Sequence, residues 1–166
     1  MRLRSLSGTD VPFHAWIERL DRAQSSFANP VPTHTLGSIS TGLETLVVGS
    51  YDAHKPGFPL SSFSSCGPTR DGREKPEISA PGGNVIAARS RTGTGVTRKS
   101  GMSMAAPAVT GLVALVLAEA QRLGIKLSSK ELRTKVLTGT DRPPPATPAG
   151  QWDPRFGFGR ASSKAI

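Results

Sequence analysis

From Met104 to Arg122 the chain is apolar at almost every position, and this stretch constrains the fold more than any other. Val109, Leu112, Val113, Val116 and Leu117 fall at helical spacing, while Ala105, Ala106, Ala108, Ala114 and Leu115 fill most of the remaining faces. A helix apolar nearly all round belongs in an interior and needs packing partners on several sides. Gly124, just past Arg122, is a C-terminal stop. Ser128 or Ser129 then caps a second helix through Leu137, ended by Gly139. In that helix Leu132, Val136 and Leu137 face inward, and Lys130, Glu131 and Lys135 face outward.

Three short segments can supply sheet to cover the first helix. Leu46-Val-Val, between Gly42 and Gly49, reads as a buried parallel strand. Glu77-Ile-Ser-Ala reads as a strand stopped by Pro81-Gly-Gly, and Val85-Ile-Ala-Ala as another. Phe13-His-Ala-Trp-Ile alternates over five residues and is expected to be a short extended run. Residues 20–38, 52–62, 89–100 and the Pro-rich 140–150 read as loops, and Phe156-Gly-Phe-Gly as a tight strand or turn. The pattern is that of an α/β layered fold, with parallel-sheet strands and a buried central helix. An irregular segment, 1–35, with a short strand precedes the folded part, 36–166. Three short strands are too little sheet to enclose the helix, so the sequence reads as part of a larger fold.

Hydrophobic residues make up 36% of the 166, and 18 Gly and 14 Pro give a loop-rich chain short of the excess that marks disorder. The single cysteine, Cys66, permits no internal disulfide. The longest apolar run, Ala108 to Leu117, is too short to span a bilayer, so no membrane segment is expected. The start, Met1-Arg-Leu-Arg-Ser-Leu, lacks the apolar stretch of a signal peptide. Lys and Arg exceed Asp and Glu by 21 to 12, a net charge of +9. These cations are scattered, and aromatic residues are only 5%, too few for a base-stacking platform. The pattern argues against nucleic acid as the partner and for a solvated basic surface.

Chemistry concentrates in Ser100-Gly-Met-Ser-Met-Ala-Ala-Pro, directly before the apolar helix. A serine in the first helical turn lies beside unpaired backbone N–H groups and the positive end of the helix dipole. Ser103 is thereby placed to carry negative charge, and its own N–H to serve as an oxyanion donor. Gly101 allows close approach of a substrate or a neighbouring backbone, and Gly101, Met102 and Ser103 together form the candidate nucleophile loop. Pro107 is tolerated if its missing N–H falls in or next to the first turn. The same residues would also suit a simple N-cap before a core helix.

The neighbouring segments separate those alternatives. Gly101-Met-Ser-Met-Ala-Ala-Pro resembles the nucleophile signature of the subtilase family, Gly-Thr-Ser-Met followed by two small residues and Pro. Phe63-Ser-Ser-Cys-Gly-Pro, Lys75-Pro-Glu-Ile-Ser-Ala-Pro-Gly and Thr45-Leu-Val-Val-Gly-Ser-Tyr-Asp are similar to three further family segments. Phe156-Gly-Phe-Gly-Arg-Ala resembles the Gly-x-Gly stretch that closes the domain. All five stand in the family's order, and together they cover roughly residues 36–166. The resemblance implies the C-terminal half of a subtilisin-like serine endopeptidase domain, with Ser103 as nucleophile and a protein or peptide as substrate. Calcium is possible by the same resemblance, although no calcium site is identifiable in the sequence, and no other cofactor is implied.

Two departures qualify that implication. Met102 stands where the family usually has Thr, whose hydroxyl lies near the oxyanion, so transition-state stabilisation should be weaker. The family's Asp-(Ser/Thr)-Gly, His-Gly-(Thr/Ser) and Ala-Gly-Asn motifs do not occur: His14, His34 and His54 precede Ala, Thr and Lys. In subtilisin itself, removing the catalytic histidine alone costs about as much as removing the whole triad, on the order of a million-fold in kcat. The chain by itself is therefore expected to be inactive, and to work only if an N-terminal half completes it. The alternative is a non-catalytic binding or structural module derived from a subtilase.

Overall fold

The computed structural model describes residues 6, 8, 13–17, 25–142 and 150–166. The chain divides into two compact units, 1–31 and 32–166. In the first, residues 13–17 form no strand, against the extended run expected there. Alternation alone gives a strand no partner, and Phe13, Trp16 and Ile17 remain 68%, 50% and 38% exposed. His14 instead stacks on Trp16, with ring centroids 5.4 Å apart.

Among the described residues the second unit holds four strands and two α-helices. Strands β1 (Val48–Tyr51) and β2 (Ile78–Pro81) pair in parallel, with Val48 opposite Ile78 and Tyr51 opposite Pro81. Strands β3 (Val85–Ala88) and β4 (Val96–Lys99) form a separate antiparallel hairpin. Two corrections follow. Val85-Ile-Ala-Ala is a strand but lies outside the parallel sheet, and the stretch read as the loop 89–100 contains β4. The hairpin closes through a turn with Arg91 at φ 60° and Gly93 at φ 67°, where the Arg89 N–H donates to the Gly95 carbonyl at 2.8 Å.

Helix α1 spans Met102–Arg122 and α2 spans Ser129–Thr138. The α1 terminus is closed as expected: Gly124 at φ 71° donates to Gln121 O, and Ile125 N–H reaches Ala120 O at 2.8 Å. Ser128 is the cap of α2, with a reciprocal bond to Glu131 that completes a capping box. Only one face of α1 is buried, through Ala105, Val109, Leu112, Val116 and Ala120. These residues pack with Ile78 and Ala80 of β2 and Val136 of α2 into a single core. Leu115 and Leu117, one on each flank of that face, remain 55% and 43% exposed. At 21 residues and a mean hydropathy of 1.7, α1 is also long and apolar enough to cross a bilayer, which the run Ala108–Leu117, broken by Thr110 and Gly111, did not reveal. Here it lies on the sheet.

A buried carboxylate ties these elements together. Glu77, 1% exposed, accepts from Lys75 Nζ at 2.7 Å and Arg133 at 2.5 Å through Oε1, and from the Val47 N–H at 2.7 Å through Oε2. Lys75 also donates to the Thr45 carbonyl at 2.7 Å. Because the side chain of Glu77 takes the Val47 N–H, the strand ladder begins at Val48, two residues later than the apolar run suggested. The backbone of Glu77 accepts from Phe158 N–H at 2.8 Å, and a Cβ on Gly157 would lie 2.2 Å from the Glu77 carbonyl carbon. Phe156-Gly-Phe-Gly is thus a tight turn pressed on the sheet, its register extended by a parallel bridge between Ser79 and Arg160.

Breaking one member of a buried, hydrogen-bonded ion cluster leaves a charge uncompensated. Glu77→Ala is expected to destabilise the chain by about 3–5 kcal/mol, measured by urea unfolding. A loss below about 1 kcal/mol would show that the cluster does not hold the fold.

Four solvent-accessible carboxylates give the stability a pH dependence. Glu131 is held below the usual carboxylate range by the Ser128 hydroxyl, Asp141 by Lys164, Glu119 by Arg122, and Asp71 by the Thr69 hydroxyl and then Arg73. Their folded values lie below the unfolded ones, so their contribution is present at neutral pH and is lost as pH falls below about 4. The urea midpoint should therefore decline from pH 6 to pH 3, with a smaller decline in Asp141→Asn; an unchanged midpoint would contradict the assignment.

Candidate active site

The N-terminus of α1 lies at the C-terminal ends of β1 and β2, where open α/β sheets place their sites. It is anchored by backbone contacts. Gly82 and Gly83 donate to the Tyr51 carbonyl at 3.0 and 3.2 Å, and Gly101 N–H donates to the Gly82 carbonyl at 2.9 Å. One residue further out, the Ser100 hydroxyl accepts from the Asn84 N–H at 2.9 Å. The glycine at position 82 is required by proximity, because a Cβ there would stand 2.3 Å from Ser50 Oγ and 2.8 Å from the Gly101 carbonyl.

Gly101 is the N-cap, at φ 154° and ψ 161°, and Met104 N–H donates to its carbonyl at 3.0 Å. A Cβ at Gly101 would meet nothing nearer than 3.7 Å, so the approach it permits faces outward rather than into the protein. Ser103 is the second residue of α1 and is exposed. Its hydroxyl makes no hydrogen bond among the described residues. Met102, expected in the preceding loop, is instead the first helical residue, because helical bonding begins at the Gly101 carbonyl. Pro107 lies inside the helix, beyond the first turn expected for it. Its missing N–H deprives the Ser103 carbonyl of the usual i+4 donor.

Two of the three histidines lie in the second unit. There His54 donates its backbone N–H to Asp52 at 3.0 Å and His34 Nδ1 bonds Thr33 Oγ1 at 3.0 Å, while His14 stacks on Trp16 within the first unit. Among the described residues of the second unit, neither His34 nor His54 is hydrogen-bonded to Ser103. Asp52, which the sequence reading left unassigned, is 6% exposed at the end of β1 and reaches Asn84 Nδ2 at 3.5 Å. Burial pushes the Cys66 thiol above its ordinary value, which lowers its thiolate fraction. Among the described residues no three His, Cys, Asp or Glu side chains gather to hold a metal. A cleft of about 540 Å³ opens at the opposite end of the strands, beside Lys75, Glu77 and Arg133.

Parallel strands whose C-terminal ends meet an apolar helix headed by a serine define an α/β fold. A family model described as the subtilase family matches residues 19–159. The serine protease AprX of Bacillus subtilis is 33% identical, over 66% of this chain and 28% of its own length. The CspB protease of Clostridium perfringens is similar in structure, with a TM-score of 0.70, 29% identity, and coverage of 83% of this chain and 29% of its own. The PatG macrocyclase, solved in complex with a peptide, aligns at a TM-score of 0.55 and 26% identity, over 72% of this chain and 34% of its own. The chain belongs to the subtilase family, the subtilisin-like serine proteases. It spans about a third or less of the length of these relatives.

Gly82→Ala is expected to push Ser100–Ser103 away from the strand ends. The amide signals of Gly101, Met102 and Ser103 should shift while those of α2 stay in place. Unshifted signals would mean that Ser50, rather than the Gly101 backbone, gives way.

Proposed function

We propose that this chain is the serine-bearing, C-terminal half of a subtilase catalytic domain, which hydrolyses peptide bonds through an acyl-enzyme at Ser103 once an N-terminal half supplies the aspartate, histidine and oxyanion asparagine. The observation that carries the reading is the position of Ser103: exposed, in the first turn of α1, at the ends of β1 and β2. There the Ser103 N–H faces the developing oxyanion, and the hydroxyl is open to a base brought from outside.

The fold supports completion by a second half. A two-stranded parallel sheet covers one face of α1, and Leu115 and Leu117, on the two flanks of that face, remain exposed. Apolar side chains left open along a core helix are a surface that another element can cover. Residues 36–166 then form one half of the domain and 1–35 an irregular leading segment. The substrate is a protein or peptide, the class on which the family acts. Met102 in place of the usual threonine withholds a hydroxyl from the oxyanion, which lowers the rate without removing the nucleophile.

Alone, the chain should neither turn over peptides nor label with a fluorophosphonate, because no base deprotonates Ser103. Mixing with the N-terminal half of a related subtilase should restore labelling at Ser103 and reduce the binding of a hydrophobic dye. Ser103→Ala should abolish the labelling, and Met102→Thr should raise it. Strong labelling of the lone chain would overturn the missing base and direct attention to His14, His34 and His54. A folded mixture that does not label would favour the non-catalytic module.

A further inference from the structure

Between Glu77 and Glu119 the sequence contains no acidic residue, and the four cations in that interval, Arg89, Arg91, Arg98 and Lys99, all lie in the β3–β4 hairpin or its turn. All four are exposed, and none forms an ion pair among the described residues. The carboxylate at the hairpin's base, Asp52, is buried and already takes the His54 N–H, with Lys55 at 3.8 Å.

A cation on an edge strand commonly serves only to repel other strands. Here the cross-strand register argues for more. Ile86 stands opposite Arg98 and Ala88 opposite Val96, so one face of the hairpin presents Ile86, Ala88, Val96 and Arg98 together. Ile86 and Val96 on that face are 50% and 67% exposed. A repelling edge has no use for an apolar stripe beside its charge. The hairpin is two-stranded among the described residues, so its outer edges offer backbone groups to an added extended chain. It also leads directly into the site. Lys99 precedes Ser103 by four residues, which limits their separation to about 14 Å.

We infer that the β3–β4 hairpin is a recognition element for an extended peptide segment bearing Asp or Glu together with apolar side chains, and that it selects acidic substrates for the serine beside it. The inference names the substrate class of the site proposed above and rests on that reading.

Direct binding separates the two. Fluorescence anisotropy with the full chain would compare an eight-residue peptide alternating Glu with Leu or Val against its Gln counterpart. The Glu peptide should bind about tenfold or more tightly, a preference that shrinks as salt screens the pairs. Replacing Arg89, Arg91, Arg98 and Lys99 together by Ser should remove the preference. Removing the same charge at Arg122, Lys126, Lys130 and Lys135 should leave it, because Arg122 lies about 28 Å along α1 from Ser103. A variant with Arg89, Arg91, Arg98 and Lys99 all replaced by Glu, shown folded by circular dichroism, should invert the preference toward a Lys peptide. Ser103→Ala should bind like the unaltered chain, so binding does not depend on the nucleophile. Equal affinity for the Gln peptide, or equal loss in the distant-charge variant, would overturn the inference even if Ser103 labels in a completed domain. Tighter binding of a single-stranded oligonucleotide of matched charge, abolished by the same four hairpin substitutions, would overturn it in favour of nucleic acid.

Discussion

Glu77 is the point on which the second unit turns. Its side chain sits where β1, β2, α2 and the closing turn meet, and each sends it a donor: Val47 N–H, Lys75, Arg133 and, to its backbone, Phe158 N–H. A buried carboxylate is costly unless it is fully paired, and among the described residues no buried side-chain polar atom is left without a partner. That condition fixes the relative positions of four elements at once. The register of β1 on β2 and the seating of α2 follow from where Glu77 must find its donors. The small residue at 157 follows as well, because the Glu77 backbone leaves no room for a side chain there.

The serine end of the molecule is organised on a different principle. At the Glu77 end, side-chain charge does the positioning; at the Ser103 end, backbone does. Tyr51, Gly82 and Gly101 hand a chain of main-chain hydrogen bonds from β1 through the loop after β2 to the start of α1. Such a site is rigid without enlisting titratable groups. Among the described residues, those around Ser103 therefore offer placement and backbone N–H groups, and no side chain there is hydrogen-bonded to the Ser103 hydroxyl. This division matches the way the chemistry is split in the proposal, with the nucleophile on one half of a domain and its base on the other.

The hairpin adds selectivity beside a site whose nucleophile loop is small and uncharged. Its cations owe their freedom to the absence of nearby acids over 41 intervening residues, from Ile78 to Ala118. Elsewhere the chain pairs some of its charges locally, as in Arg122 with Glu119 and Arg73 with Asp71, while Arg70, Lys126, Lys130, Lys135 and Arg155 likewise form no ion pair among the described residues. What sets the hairpin apart is that its cations stand beside exposed Ile86 and Val96.

Much of this was legible in the residues. The helical spacing from Val109 to Leu117, the Gly124 stop, the Ser128–Glu131 cap and the serine at the head of α1 are local patterns, and local hydrogen bonding and side-chain periodicity are enough to set them. What depended on partners distant in the chain was not legible. The alternation at Phe13–Ile17 found no second strand, and Val96–Lys99 became a strand only because Val85–Ala88 lay opposite. The N–H of Val47 went to a carboxylate thirty residues away, which moved the start of β1. Gly82, read as the end of a strand, proved to hold the nucleophile loop. The sequence by itself determined which segments are helical, which serine heads the apolar helix, and the family to which its motifs point. Only the tertiary structure decided which strands pair, which face of α1 is covered, and what surrounds Ser103, because burial and pairing are set by the partner a residue meets rather than by its neighbours in the chain.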